Sequence, residues 1–202
     1  MRLPLLLALS CAFLGLAPAA RAQTSAPAPL ATTVGDPIAY RIDLPKDWEI
    51  SRVSQNVPNG TAHALSATGK DGALSVTAAD LVAGRTDRPA GVSEAQMRKM
   101  VTDMILGSDS LMYGMLQGAI ANQGGTLRDA VRGITTLAGQ RAARLKGRVE
   151  RDGTTTPLEL HLTVRDGIMY VITTLAEDGR YAAVEPLFAR IRDSFVLAPA
   201  PR

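Results

Sequence analysis

Residues Leu137 to Leu197 read LAGQRAARLKGRVERDGTTTPLELHLTVRDGIMYVITTLAEDGRYAAVEPLFARIRDSFVL, and their pattern decides the fold. Three strands are expected, about Gln140 to Glu150, Pro157 to Arg165 and Ile168 to Leu175. Asp152-Gly153 and Asp166-Gly167 separate them, a dipeptide that supplies the positive φ angles of a two-residue hairpin turn. The first turn sets Arg144 opposite His161 and Lys146 opposite Glu159. The second sets His161 opposite Ile172, Thr163 opposite Tyr170 and Leu162 opposite Val171. Because side chains alternate sides along a strand, the faces sort themselves. Ala143, Leu145, Val149, Leu158, Leu160, Leu162, Val164, Met169 and Val171 form an apolar face that needs a cover. Arg144, Lys146, Arg148, Glu159, His161, Thr163, Tyr170 and Ile172 form a mixed face with a partial one. A helix over about Ala182 to Asp193 follows, with Val184, Leu187, Phe188 and Ile191 on one side. Pro186 fits its first turn better than its middle.

The cover comes from the preceding segment. Ser93 and Gln96 form a capping box, and Val92 and Met97 a hydrophobic staple. Met97, Val101, Met104, Ile105, Leu111, Met112, Met115, Leu116 and Ala119 then keep the helical period. Gly107-Ser108 predicts a kink or two helices in series, and Gly124-Gly125 a stop. A strand from Leu127 to Thr136 leads into the closing meander. Upstream, Tyr40 to Leu44 alternates as a strand, and Pro45-Lys46-Asp47 turns it into Trp48, a core plug. Pro58-Asn59-Gly60 and Lys70-Asp71-Gly72 are turn signals around strands at Thr61 to Ala67 and Ala73 to Leu81, and Arg85 to Gly91 is a polar loop.

The N-terminal MRLPLLLALSCAFLGLAPAARA has an early arginine, an apolar run from Leu3 to about Ala17, and small residues at Ala20 and Ala22. This is the form of a secretory signal peptide over 1–22, cleaved before Gln23. The run is shorter than the roughly 20 residues of a spanning helix, so no membrane span is expected after cleavage. The expected address is periplasmic or secreted. Residues 23–37, rich in Ala, Pro and Thr, read as a disordered linker, and 38–198 as a single domain. Cys11 is the only cysteine and leaves with the leader, so the domain relies on its core and carries no thiolate chemistry. With Arg2 and Arg21 gone, 20 basic residues face 19 acidic ones. That balance, with few aromatics and a secreted address, argues against nucleic acid.

The order of signals resembles the PsbP-like superfamily. It comprises Pro45-x-x-Trp48 after a strand, a hairpin, a long helix, Ala138-Gly139-Gln140, a hairpin, Gly167-x-x-Tyr170, and a helix ending in Asp193-Ser194-Phe195. That superfamily includes an extrinsic photosystem subunit, a Ran-binding import factor and many secreted bacterial proteins. The resemblance implies an antiparallel sheet sandwiched by helices and a binding or assembly role in place of catalysis. The photosystem member's metal and docking residues have no match here, so no site transfers. The expected architecture is α+β: about six antiparallel strands between a long Met-rich helix and a C-terminal helix, an α/β/α sandwich.

Chemistry is sparse. Only His63 and His161 could act as histidine bases, no G-x-S-x-G elbow is present, and H-E-x-x-H, calcium-loop and paired-cysteine patterns are absent. No cofactor is expected. Two features stand out. Between residues 121 and 151, seven basic residues face two acidic ones, and alternation puts Arg144, Lys146 and Arg148 on one face beside His161. These four form a candidate docking patch for an acidic surface or another envelope protein. Second, Met97, Met100, Met104, Met112 and Met115 place thioethers, the ligand type that suits Cu(I), on adjacent helical turns. Met97, Met104, Met112 and Met115 lie in the apolar register and read first as adaptable core side chains under the sheet, with an apolar groove for a lipid or peptide as a third option. The sequence therefore points to a non-catalytic accessory of the bacterial envelope, with a binder of a small apolar ligand or copper, and an undetected hydrolase, as alternatives.

Overall fold

A computed structural model describes residues 29–35, 38, 40–57, 60–70, 72–83, 85 and 88–197. The expected leader lies outside them, as do residues 23–28 and 36–37 of the expected linker, Pro58-Asn59, Asp71, part of the polar loop, and the expected domain end at 198. The order of elements is β1 (Leu30–Gly35), β2 (Tyr40–Pro45), β3 (Glu49–Val57), β4 (Gly60–Gly69), β5 (Gly72–Asp80), α1 (Glu94–Leu106), α2 (Asp109–Ala121), β6 (Thr126–Leu137), β7 (Gln140–Arg151), β8 (Thr154–Arg165), β9 (Ile168–Leu175), α3 (Tyr181–Asp193) and β10 (Val196–Leu197).

The expected meander is β7-β8-β9, in the expected register: Arg144 faces His161, Lys146 faces Glu159, and Leu162 faces Val171. Both Asp-Gly corners carry two positive φ angles, 50° and 75° at Asp152-Gly153, 51° and 73° at Asp166-Gly167. A third corner at Ala138-Gly139 has the same form, with Ala138 at φ 51°. The meander extends into an antiparallel seven-stranded sheet of order β3-β4-β5-β9-β8-β7-β6, against the six strands or so expected. The excess reflects β3, whose side chains are mostly exposed at one edge of the sheet and so carry little hydrophobic alternation.

The apolar face is buried in full. Ala143, Leu145, Val149, Leu158, Leu160, Leu162, Val164, Met169 and Val171 join one core with Met97, Val101 and Ile105 of α1 and Met112, Leu116 and Ala119 of α2. The long helix is two helices. The Gly107 N–H closes α1 on the Asp103 carbonyl, and the Ser108 hydroxyl accepts from the Leu111 N–H to open α2. The expected capping box is present at Ser93 and Gln96. At the sheet end, α1 is held by the Gly167 N–H, which donates to Thr102 Oγ1 at 2.9 Å.

The mixed face has a fuller cover than a single helix. A second core joins Leu65, Val76, Tyr170 and Ile172 of the large sheet to Val184, Phe188 and Ile191 of α3. It also takes in Tyr40, Ile42 and Leu44 of a second sheet, ordered β1-β2-β10. Trp48 packs edge-on against Phe188, with ring centroids 6.4 Å apart. The α/β/α expectation is thus corrected on this side, where α3 shares the layer with three strands. Leu30–Gly35, read as linker, is β1 and pairs with β2 from Leu30↔Pro45 to Gly35↔Tyr40. Its partners, not its composition, make it a strand. Pro186 sits inside α3 and past its first turn, because the helix already begins at Tyr181, whose hydroxyl lies 3.0 Å from Thr174 Oγ1.

Candidate functional site: an apolar groove between two helices

The chain breaks at Gly107-Ser108 between α1 and α2, and a groove of about 190 Å³ lies between them over the sheet. Met104 and Ile105 of α1 form one wall, Leu111 and Met115 of α2 the other, and Leu162 and Met169 lie on the floor. Ser110, Gly114 and Gly118 recur every fourth residue along the α2 wall, which places them on one flank of that helix. A Cβ at Gly114 or Gly118 would meet no atom within 4 Å, so the absent side chains leave open space. A smaller cavity of about 30 Å³ lies at the far end of α2, lined by Ile120, Val149, Leu158, Leu160 and Thr173 among others. Ala119 borders both. Thr173 is 7% exposed, and its hydroxyl has no hydrogen-bond partner among the described residues.

The methionines divide. Met97 and Met112 are core, Met100 is exposed, and Met104, expected in the apolar register, is 48% exposed at the groove's rim. Met169 completes a set of three thioethers in the groove with Met104 and Met115. It belongs to a strand, so no helical spacing could have pointed to it.

The four residues of the candidate docking patch do come together; the three cations stay partly exposed, and each is paired with an acid. Arg144 Nε donates to Glu159 Oε1 at 2.7 Å, Lys146 Nζ to Glu185 Oε1 at 2.6 Å, and Arg148 Nη2 to Asp178 Oδ2 at 2.5 Å. His161, placed in the candidate docking patch, is 3% exposed, and its Nε2 lies 2.7 Å from Glu159 Oε1. Its Nδ1 has no partner among the described residues. Strand spacing put these side chains and Glu159 of β8 on one face, but the acids that meet Lys146 and Arg148 come from α3 and the turn before it. Burial alone would raise the Glu159 carboxyl, yet hydrogen bonds from His161 and Arg144 outweigh it and hold the group down to about 2. Burial pushes the Tyr181 phenol upward, and its hydroxyl donates to Glu159 Oε2 at 3.4 Å. The cluster neutralises its own charges and ties α3 to the sheet.

The remaining histidine is no better placed for hydrolysis. His63 Nδ1 lies 2.8 Å from Ser54 Oγ across the β3–β4 pair. Among the described residues no carboxylate hydrogen-bonds the ring to orient it as a base. No group of three or more His, Cys, Asp or Glu among the described residues could hold a metal ion. No helix among them is long and apolar enough to cross a membrane.

No family model matches the chain, and no curated protein does. Among solved structures it is similar to cyanobacterial PsbP (CyanoP) from Synechocystis sp. PCC 6803. The identity is 15%, covering 89% of this chain and 98% of that one, with a TM-score of 0.48. It is also similar to PA94 of Pseudomonas aeruginosa, a protein of unknown function, at 13% identity over 86% and 99% of the two chains and a TM-score of 0.42. LpqN of Mycobacterium tuberculosis, a protein involved in cell envelope biogenesis, aligns at 16% identity over 84% and 92%, with a TM-score of 0.37. The first of these carries the name PsbP, the family that the sequence resembles. Likeness at this level concerns the course of the chain and carries nothing about a ligand or partner.

Proposed function

We propose that the chain is a secreted, non-catalytic binding protein of the bacterial envelope, and that it takes a small apolar ligand in the groove between α1 and α2. The observation that carries this reading is the groove itself: about 190 Å³ with a wall from each helix and a floor of buried side chains. A dry cavity of about 150 Å³ lined by apolar side chains is enough to bind benzene. The signal-peptide pattern read over residues 1–22 supports the address. Docking of an acidic partner on Arg144, Lys146 and Arg148 is less favoured, since Glu159, Glu185 and Asp178 already meet those cations.

One observation favours a second reading. Met104, Met115 and Met169 bring three soft sulfur ligands to the same groove, a set that suits Cu(I). Native mass spectrometry of protein exported with its own leader and purified from periplasm separates the two. An apolar adduct released by organic solvent is expected, while a retained copper ion favours the second reading. Protein that carries neither, and that fails to enhance the fluorescence of N-phenyl-1-naphthylamine, refutes both.

A further inference from the structure

We infer that the groove and the smaller cavity are two ends of one channel beneath α2, shaped for a linear alkyl chain. This rests on the groove being the binding site. Three observations carry it. Ala119 borders both spaces. On the floor, Leu162↔Val171 under the groove is followed two residues along by Leu160↔Thr173 under the cavity, on the same face of the sheet. The two floors are therefore consecutive rungs of one ladder. Finally, the α2 flank over the groove is stripped of bulk at Ser110, Gly114 and Gly118, which leaves a slot along the helix axis.

A slot of this form takes a narrow, flexible chain and excludes a broad ring system. Met104 and Met115 at the entrance are unbranched and adapt to what passes between them. The wide outer end takes the body of the chain. The tail points inward past Ala119 to the Thr173 hydroxyl, which has no partner among the described residues. The polar end of the ligand stays at the exposed mouth, beside Ser110 and half-exposed Met104.

The test uses the full mature protein and displacement of N-phenyl-1-naphthylamine by straight-chain fatty acids of increasing length. A parallel arm uses lysophospholipids with the same chains. Affinity is expected to rise about fourfold per added methylene and to level off once the channel is filled. The rise and plateau in either arm support the inference, and comparing the arms tells a free acid from a membrane lipid as the source. Gly118→Leu, whose new side chain has open space to enter, is expected to weaken the longest binding acid at least tenfold with an unchanged melting profile. Thr173→Val is expected to tighten long chains and leave short ones unchanged, because only a long tail reaches that hydroxyl.

If the probe binds but neither arm depends on chain length, or if Gly118→Leu binds long chains as the parent does, the alkyl channel is overturned while the groove reading survives. If the probe does not bind at all, both fall.

Discussion

Replacing Glu159 with glutamine removes one charge from a site where four side chains converge. The carboxylate is 5% exposed and receives Arg144 and His161 at 2.7 Å each, and Tyr181 at 3.4 Å. Arg192 of α3 stands 3.8 Å away. A carboxyl held down to about 2 from an ordinary 4.5 is linked to about 3 kcal/mol of folding stability. The sign follows from the depressed folded-state value. The contribution is complete above the unfolded-state value and fades as pH falls from about 4.5 toward 2. Glu159→Gln is therefore expected to cost about 3 kcal/mol at pH 7, a fall in Tm of roughly 6–12 °C for a domain of this size. Denaturant titration at pH 7 and at pH 2 measures it. The gap between variant and parent should narrow at pH 2, where the parent's carboxyl is itself partly protonated. A variant within about 1 kcal/mol of the parent at pH 7, or a gap equal at both pH values, refutes the reasoning.

Two further predictions concern the corners of the meander. Gly167→Ala is expected to lower stability by about 2 kcal/mol, since Gly167 has φ 73° and a Cβ there would lie 2.9 Å from Val82 Cγ2. Loss of backbone amide protection in α1, read by hydrogen exchange, should accompany it, because that turn anchors the helix. Ala138→Asn should act in the opposite sense, adding about 1 kcal/mol by relieving an alanine held at φ 51°. Chemical denaturation of the variant checks this, and an unchanged midpoint would contradict it.

Hairpin corners, register and the division of the faces could be read from residues 137 to 175 because each depends on neighbours in sequence. A two-residue turn fixes which residues face one another, and the period of two fixes where each side chain points. The capping box at Ser93 and the break at Gly107-Ser108 were legible for the same reason. Composition alone told nothing of β1, since Leu30 to Gly35 becomes a strand only where β2 offers it a partner.

The site lay further out of reach. Alternation put Arg144, Lys146, Arg148 and His161 on one face, but which acids meet the outer two cations is settled by which helix packs there. Glu185 and Asp178 lie 39 and 30 residues from the cations they neutralise, a distance no local pattern spans. The groove depends on where the two helices seat on the sheet, α1 over β8 and α2 chiefly over β6 and β7. Local chemistry thus specified the strands, turns and helix ends. The space left between them, which is what a ligand would enter, came from packing among segments remote in the chain.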